Sequence, residues 1–183
     1  GVAVFVVGEA AHVDPVPLAG VGHGRDVVGL RRVGRIVLGL CPGPAALGLS
    51  DRYGVPIHTH TSEQREEVAA VESIFGKRPV LQFREYGILR PGTVLAHCVW
   101  LDESELDLHA ETGTAVAHCP VSNAKLACGG PLDLRAMRSR GIRVGLGTDG
   151  TISNNALSQW ETMKFGSLLQ KNATLDAAAM PAE

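Results

Sequence analysis

Apolar residues in this chain fall into short runs, and polar, helix-favouring stretches separate them. Val55–His60, Thr93–Val99, Ala115–Cys119 and Arg143–Gly147 read as strands, and Ile36–Leu40 is a further candidate. Ser62–Phe75, Pro79–Ile88, residues 103–111, Pro131–Arg140 and Ala156–Lys171 read as helices. Pro79 falls in a first turn, where its missing N–H is not needed. Asp102 and Glu105 make a capping-box start, and Gly113 and Gly141 stand where helices end. In the last helix Leu157, Trp160 and Met163 share one face. Strands alternating with helices predict parallel βα units. A closed eight-stranded barrel needs about 250 residues, and this chain has 183. The expected fold is therefore α/β, a partial TIM-like (β/α)8 barrel covering roughly strands 4 or 5 to 8.

Composition adds boundaries. The apolar share of 45% suits a globular core. A formal net charge of −2 gives no reason to expect nucleic acid or an acidic membrane surface as partner. No run approaches the roughly 18 apolar residues of a membrane span, so a cytoplasmic protein is expected. Cys41, Cys98, Cys119 and Cys128 contain no Cys-x-x-Cys pair, which argues against a zinc ribbon or a thioredoxin-like motif. Before Ile36 there is no Ser, Thr, Asn, Gln, Lys, Ile, Tyr or Trp. Residues 1–35 are thus atypical, either an ordinary loop-and-strand segment or a misframed stretch. Residues 36–183 form the expected domain.

Candidate chemistry gathers at strand ends. His58 and His60, two apart in a strand, face one side. Glu63 follows where the chain turns into a helix and can reach back over the strand's mouth. The plain alternative is a pair of surface histidines ahead of a helix cap. His97 closes the next strand, either as a functional group or as a satisfied structural histidine. His118 and Asn123 follow the third strand and are expected to order its loop, with His118 otherwise beside the site. Gly145-Leu146-Gly147-Thr148-Asp149-Gly150 ends the last, where glycines permit a sharp turn and a carboxylate can bind metal and accept a proton.

These stretches, VPIHTHTSE, VLAHCVWLDESEL, AETGTAVAHCPVSNAKLACG and GIRVGLGTDGTISNNALSQWETMKFGSLLQK, resemble the amidohydrolase superfamily. The similarity is to the branch of methylthioadenosine/S-adenosylhomocysteine deaminases, guanine deaminases and triazine hydrolases, and it runs from Gly54 to about Lys171. The resemblance implies one divalent metal ion, zinc or else iron(II), with His60 and Asp149 as ligands. It implies that Glu63 protonates a ring nitrogen and that His97 orients the attacking hydroxide. Asp149 then also accepts a proton, and His58 stands beside the ligands. The family's first-strand His-x-His pair and its β-sandwich domain have no counterpart here. The region from Ile36 to Ile57 reads as if most of a helix were deleted between Gly43 and Ser50.

The expected activity is hydrolysis of carbon–nitrogen, not peptide, bonds: deamination of an aminopurine nucleoside or a related small heterocycle. The alternative on the same scaffold is a guanine or s-triazine aminohydrolase or chlorohydrolase. A third reading is an inactive fragment with an incomplete metal site. Half a barrel exposes sheet edges, so a homo-oligomer is also an expectation.

Overall fold

The computed structural model describes residues 43–181. The candidate strand at Ile36–Leu40, the atypical segment 1–35 and Cys41 lie outside the described residues. Four strands, β1 (His58–Thr61), β2 (Val94–His97), β3 (Ala115–His118) and β4 (Val144–Leu146), form one sheet in the order β1-β2-β3-β4. Every pairing is parallel. Helices α1 (Gly43–Tyr53), α2 (Arg65–Phe75), α3 (Pro79–Glu85), α4 (Glu103–Thr112), α5 (Pro120–Lys125), α6 (Leu134–Ser139), α7 (Thr151–Asn154) and α8 (Gln159–Thr174) connect and follow the strands.

Local chemistry explains the boundaries. Gly76 ends α2 in the left-handed region at φ 70° and donates its N–H to Glu72 at 2.8 Å. Asp102 accepts from the Glu105 N–H at 2.9 Å, and the Glu105 carboxylate accepts from the Asp102 N–H at 3.1 Å. That reciprocal pair is the expected capping box. Glu105 does more than cap. Its carboxylate is fully buried and also accepts from Arg78 Nε at 2.8 Å and the Val80 N–H at 3.1 Å, joining the start of α3 to the start of α4.

The sheet is buried on one face against helices. Val71, Val80, Phe83 and Met137 meet Leu95, Val116 and Leu146 in a single apolar cluster. Each large side chain buried there stabilises the fold by about 1.5–3 kcal/mol. The other face carries small residues: Ala96, Ala117 and Cys119, packed with Val94. In register, His60 faces Ala96, Ala96 faces Ala117 and Ala117 faces Gly145. One layer across the sheet is therefore a histidine followed by three residues with almost no side chain.

Several expectations change. A full helix, α1, occupies Gly43–Tyr53, where a deletion was expected. α5 and α7 are single short helices after β3 and β4 that periodicity missed, because four to six residues are too few to show a period. α8 starts at Gln159, and its buried stripe is Thr162, Gly166 and Gln170, each four residues from the next. Trp160 is 82% exposed and Leu157 55%, while Met163 packs against the apolar cluster, so only one of the three apolar residues expected on one face faces the core. Gly166 lies against Pro120, where a Cβ would come within 3.2 Å of the ring, and Gln170 donates to the Leu132 carbonyl at 3.0 Å. Close approach and one hydrogen bond set that contact, and hydropathy cannot report either. Among the described residues no helix is long and apolar enough to cross a membrane.

His109 and His118 are buried, and burial lowers them from 6.5 to about 4 and about 3. Both stay neutral in the fold, while the unfolded chain takes up protons as pH falls through 6.5. Their contribution is whole above that value and is lost as pH drops toward the folded values. Between pH 7 and pH 5 stability should fall by roughly 1–2 kcal/mol for each histidine. Urea unfolding of wild type and His109→Gln at both values checks this: the variant should lose less, and equal losses would exclude His109.

Candidate active site

The described strands end on one side of the sheet, and three of the four ends, all but that of β3, are turned by an unusual backbone. Ser62 after β1 has φ 50°, His97 closing β2 has 71°, Cys98 has 51°, and Asp149 after β4 has 58°. For residues other than glycine this left-handed conformation costs roughly 1–2 kcal/mol each, and such strain concentrates where a side chain must be aimed. His97 illustrates the result. Strand alternation would send it to the helix side with Leu95. Its turned backbone instead brings Nε2 to 3.3 Å from Nδ1 of His60, with the rings edge to face at 4.8 Å.

Glu63 is placed by a second carboxylate. The buried Glu67, one turn into α2, accepts from the Ser62 N–H at 3.1 Å and the Glu63 N–H at 2.7 Å. This fixes the backbone from which Glu63 reaches over the sheet. Its Oε1 lies 3.7 Å from Nδ1 of His97. Asn123 donates from Nδ2 to the same Nδ1 at 3.0 Å, so the proton of neutral His97 sits on Nε2, facing His60. Burial, and then the neighbouring His60, lower His97 to about 4.

Asp149 is held by two hydroxyls. Ser122 from α5 and Ser153 from α7 each donate to Oδ2 at 2.6 Å. Burial pushes its carboxyl up, but these bonds outweigh burial and hold it below the usual carboxylate range. Glu63 behaves oppositely: burial raises it, and the charge of Asp149 adds to the rise. Two carboxyl groups within electrostatic reach are thus driven apart, one toward its protonated form and one toward its ionised form.

Of the residues expected at the site, His60, Glu63 and His97 come together, each offering a ligand atom, with the three atoms within 4.8 Å of one another. Two imidazoles and a carboxylate suit zinc or iron(II), so the donor chemistry fits the metal expected here. Asp149 stands outside that trio but close enough for its charge to act on His97 and Glu63. His58 is exposed on β1. His118 is buried, with neither ring nitrogen hydrogen-bonded among the described residues, and it does not tie down the loop after β3.

Sequence reading missed Glu67, Ser122, Ser153 and Cys128. Cys128 lies 65 residues from Glu63 in the chain, yet its thiol is 3.4 Å from the Glu63 carboxylate. Nothing in the run Leu126-Ala127-Cys128-Gly129-Gly130 signals that contact. The Glu-rich start of α2 was a visible sign for Glu67, though it reads as an ordinary helix start.

The amidohydrolase family model matches residues 45–183, and the chain belongs to that family. It is 46% identical over 134 residues to 5'-deoxyadenosine deaminase of Methanothermobacter thermautotrophicus, covering 73% of this chain and 31% of that one. It is also 46% identical over 134 residues to 5-methylthioadenosine/S-adenosylhomocysteine deaminase of Nitratidesulfovibrio vulgaris, covering 73% and 30%. Its fold matches a zinc-bound adenosine deaminase from Xanthomonas campestris with TM-score 0.73 and 33% identity, over 78% of this chain and 32% of that one. The chain therefore spans about a third of the length of these relatives, and its four parallel strands are part of an amidohydrolase barrel.

The loop that carries Cys128 rests on Trp100. Gly129 has φ +127°, and a Cβ there would press into the indole ring. Gly129→Ala should therefore destabilise the fold by about 1–3 kcal/mol, read as a lower denaturant midpoint. An unchanged midpoint would show that the loop is free to move off Trp100.

Proposed function

We propose that the full-length protein to which this chain belongs is a metal-dependent aminohydrolase that deaminates an aminopurine nucleoside. The observation that carries the reading is the trio of His60, Glu63 and His97 within 4.8 Å, beside an Asp149 carboxylate held ionised. The names of the two relatives at 46% identity support the substrate class. Zinc is the metal proposed, with His60 and Asp149 among its ligands; the zinc in the Xanthomonas structure supports it.

A divalent cation held by His60 and Asp149 would supply hydroxide at neutral pH by lowering the pKa of water toward ~7. The chain's own residues do the rest. Glu63, raised by burial, carries a proton to the ring nitrogen as negative charge builds there. Neutral His97 is anchored at Nδ1 by Asn123, so its Nε2–H is aimed at the reacting oxygen. Asp149, oriented by Ser122 and Ser153, accepts one proton of the attacking water and passes it to the amino group, which leaves as ammonia, and the second proton of the water restores Glu63. Three free thiols, Cys98, Cys119 and Cys128, support a reducing cytoplasmic setting.

Ammonia release from 5'-deoxyadenosine, methylthioadenosine and guanine by the zinc-loaded full-length protein tests the reading. Turnover should be fastest with a nucleoside, and turnover of guanine alone would move the assignment to the nucleobase. Glu63→Gln should keep the metal and lower turnover by ~10²–10⁴-fold; near wild-type turnover would remove its acid/base role. Asp149→Asn should lower both metal content and rate, and unchanged metal content would remove it from the ligands.

A further inference from the structure

The two oxygens of the Glu63 carboxyl do not have equal surroundings. Oε1 lies 3.4 Å from Sγ of Cys128. The same sulfur receives Nε2 of Gln64 at 3.7 Å. The directions of these two bonds follow from the groups themselves. An amide nitrogen only donates and an ionised carboxylate only accepts, so the sulfur accepts from Gln64 and its S–H points at Glu63.

Cys128 is 5% exposed, yet it belongs to neither apolar cluster. Cys98 lies in the main core and Cys119 in the small-residue layer, where a thiol acts as a compact apolar filler. Cys128 instead has Glu63, Gln64 and Asn123 as hydrogen-bonding neighbours. Filling space does not account for it.

Its position is fixed from both sides of the backbone. The Cys128 N–H donates to the Asn123 carbonyl at 2.9 Å, and its carbonyl accepts from Trp100 Nε1 at 2.6 Å. The indole is covered by the Arg65 guanidinium at 4.1 Å and underlies Gly129. Trp100 follows β2, Asn123 follows β3, and Glu63 and Arg65 follow β1. Three successive strand ends therefore set the distance between thiol and carboxylate. Asn123 also binds His97, so one residue places both the histidine and the thiol.

We propose that Cys128 is a positioning residue that holds Oε1 of Glu63 through its S–H and leaves Oε2 as the oxygen that exchanges a proton with substrate. The thiol keeps its own proton throughout and forms no bond to substrate. The inference rests on the acid/base role given to Glu63 above, but the contact itself is measurable without turnover.

The S–H stretch falls in an infrared window free of other protein bands, and a charged acceptor lowers its frequency. In the full-length, zinc-loaded protein, the band lost in Cys128→Ala identifies this thiol. It should move to higher frequency in Glu63→Gln, where the acceptor becomes neutral. A band that ignores Glu63→Gln overturns the proposal. With the substrate that wild type turns over, Cys128→Ala should lower kcat roughly fivefold to tenfold with KM nearly unchanged, a loss matching one modest hydrogen bond. Cys128→Ser restores a donor and should recover most of kcat. Equal kcat in the alanine and serine variants, or a loss confined to KM, also overturns it. If wild type turns over no heterocycle while the band still answers to Glu63→Gln, the function reading fails and the thiol–carboxylate contact stands.

Discussion

In-register parallel pairing is the constraint from which the site follows. It makes β1, β2, β3 and β4 end side by side, with His60 opposite Ala96, Ala96 opposite Ala117 and Ala117 opposite Gly145. A shift of one residue in any pair would exchange the two faces of that strand. Leu95, Val116 and Leu146 would leave the core, so the apolar packing that stabilises the sheet also enforces the register of the layer that carries His60. Left-handed residues at the strand ends then turn His97 and Asp149 out of simple alternation. Stability on the helix side holds strained geometry in place at the strand mouths.

Two buried carboxylates extend that control to the helices. Removing a charge from water is costly unless hydrogen bonds replace the lost solvation. Glu67 receives two backbone N–H groups, and Glu105 receives two backbone N–H groups and Arg78. Glu67 thereby ties the turn after β1 to its own helix α2, and Glu105 ties the start of α3 to α4. Burial still raises both carboxyl groups, so desolvation is only partly offset. Glu67 also anchors the backbone of Glu63.

The sequence was readable where a residue type has one dominant local meaning. Asp102 with Glu105, Gly113 and Pro79 stand at helix ends because few other residues satisfy those backbone positions. The four apolar runs became four strands, although β1 starts at His58 and not at Val55, since Pro56 cannot donate to a ladder. The convergence of His60, Glu63 and His97 could be expected because strand-end histidines and carboxylates recur at matching places in successive βα units, whereas Asp149, expected with them, stands outside the trio. α8 was misread because Thr162, Gly166 and Gln170 bury themselves by fit and hydrogen bonding while Trp160 remains outside.

The chain by itself determined the order of elements, the parallel sheet, the family and the residue types at each strand end, since all of these are local or periodic properties. Tertiary structure alone decided which groups touch. Ser122 and Ser153 reach Asp149 from two helices too short to announce themselves, and Asn123 reaches His97 across 26 residues of chain. Cys128 meets Glu63 across 65 residues, because Trp100 and Gly129 fix a loop whose own sequence carries no such instruction. Hydrogen-bond partners distant in sequence leave no period and no spacing, so only the folded register brings them within reach.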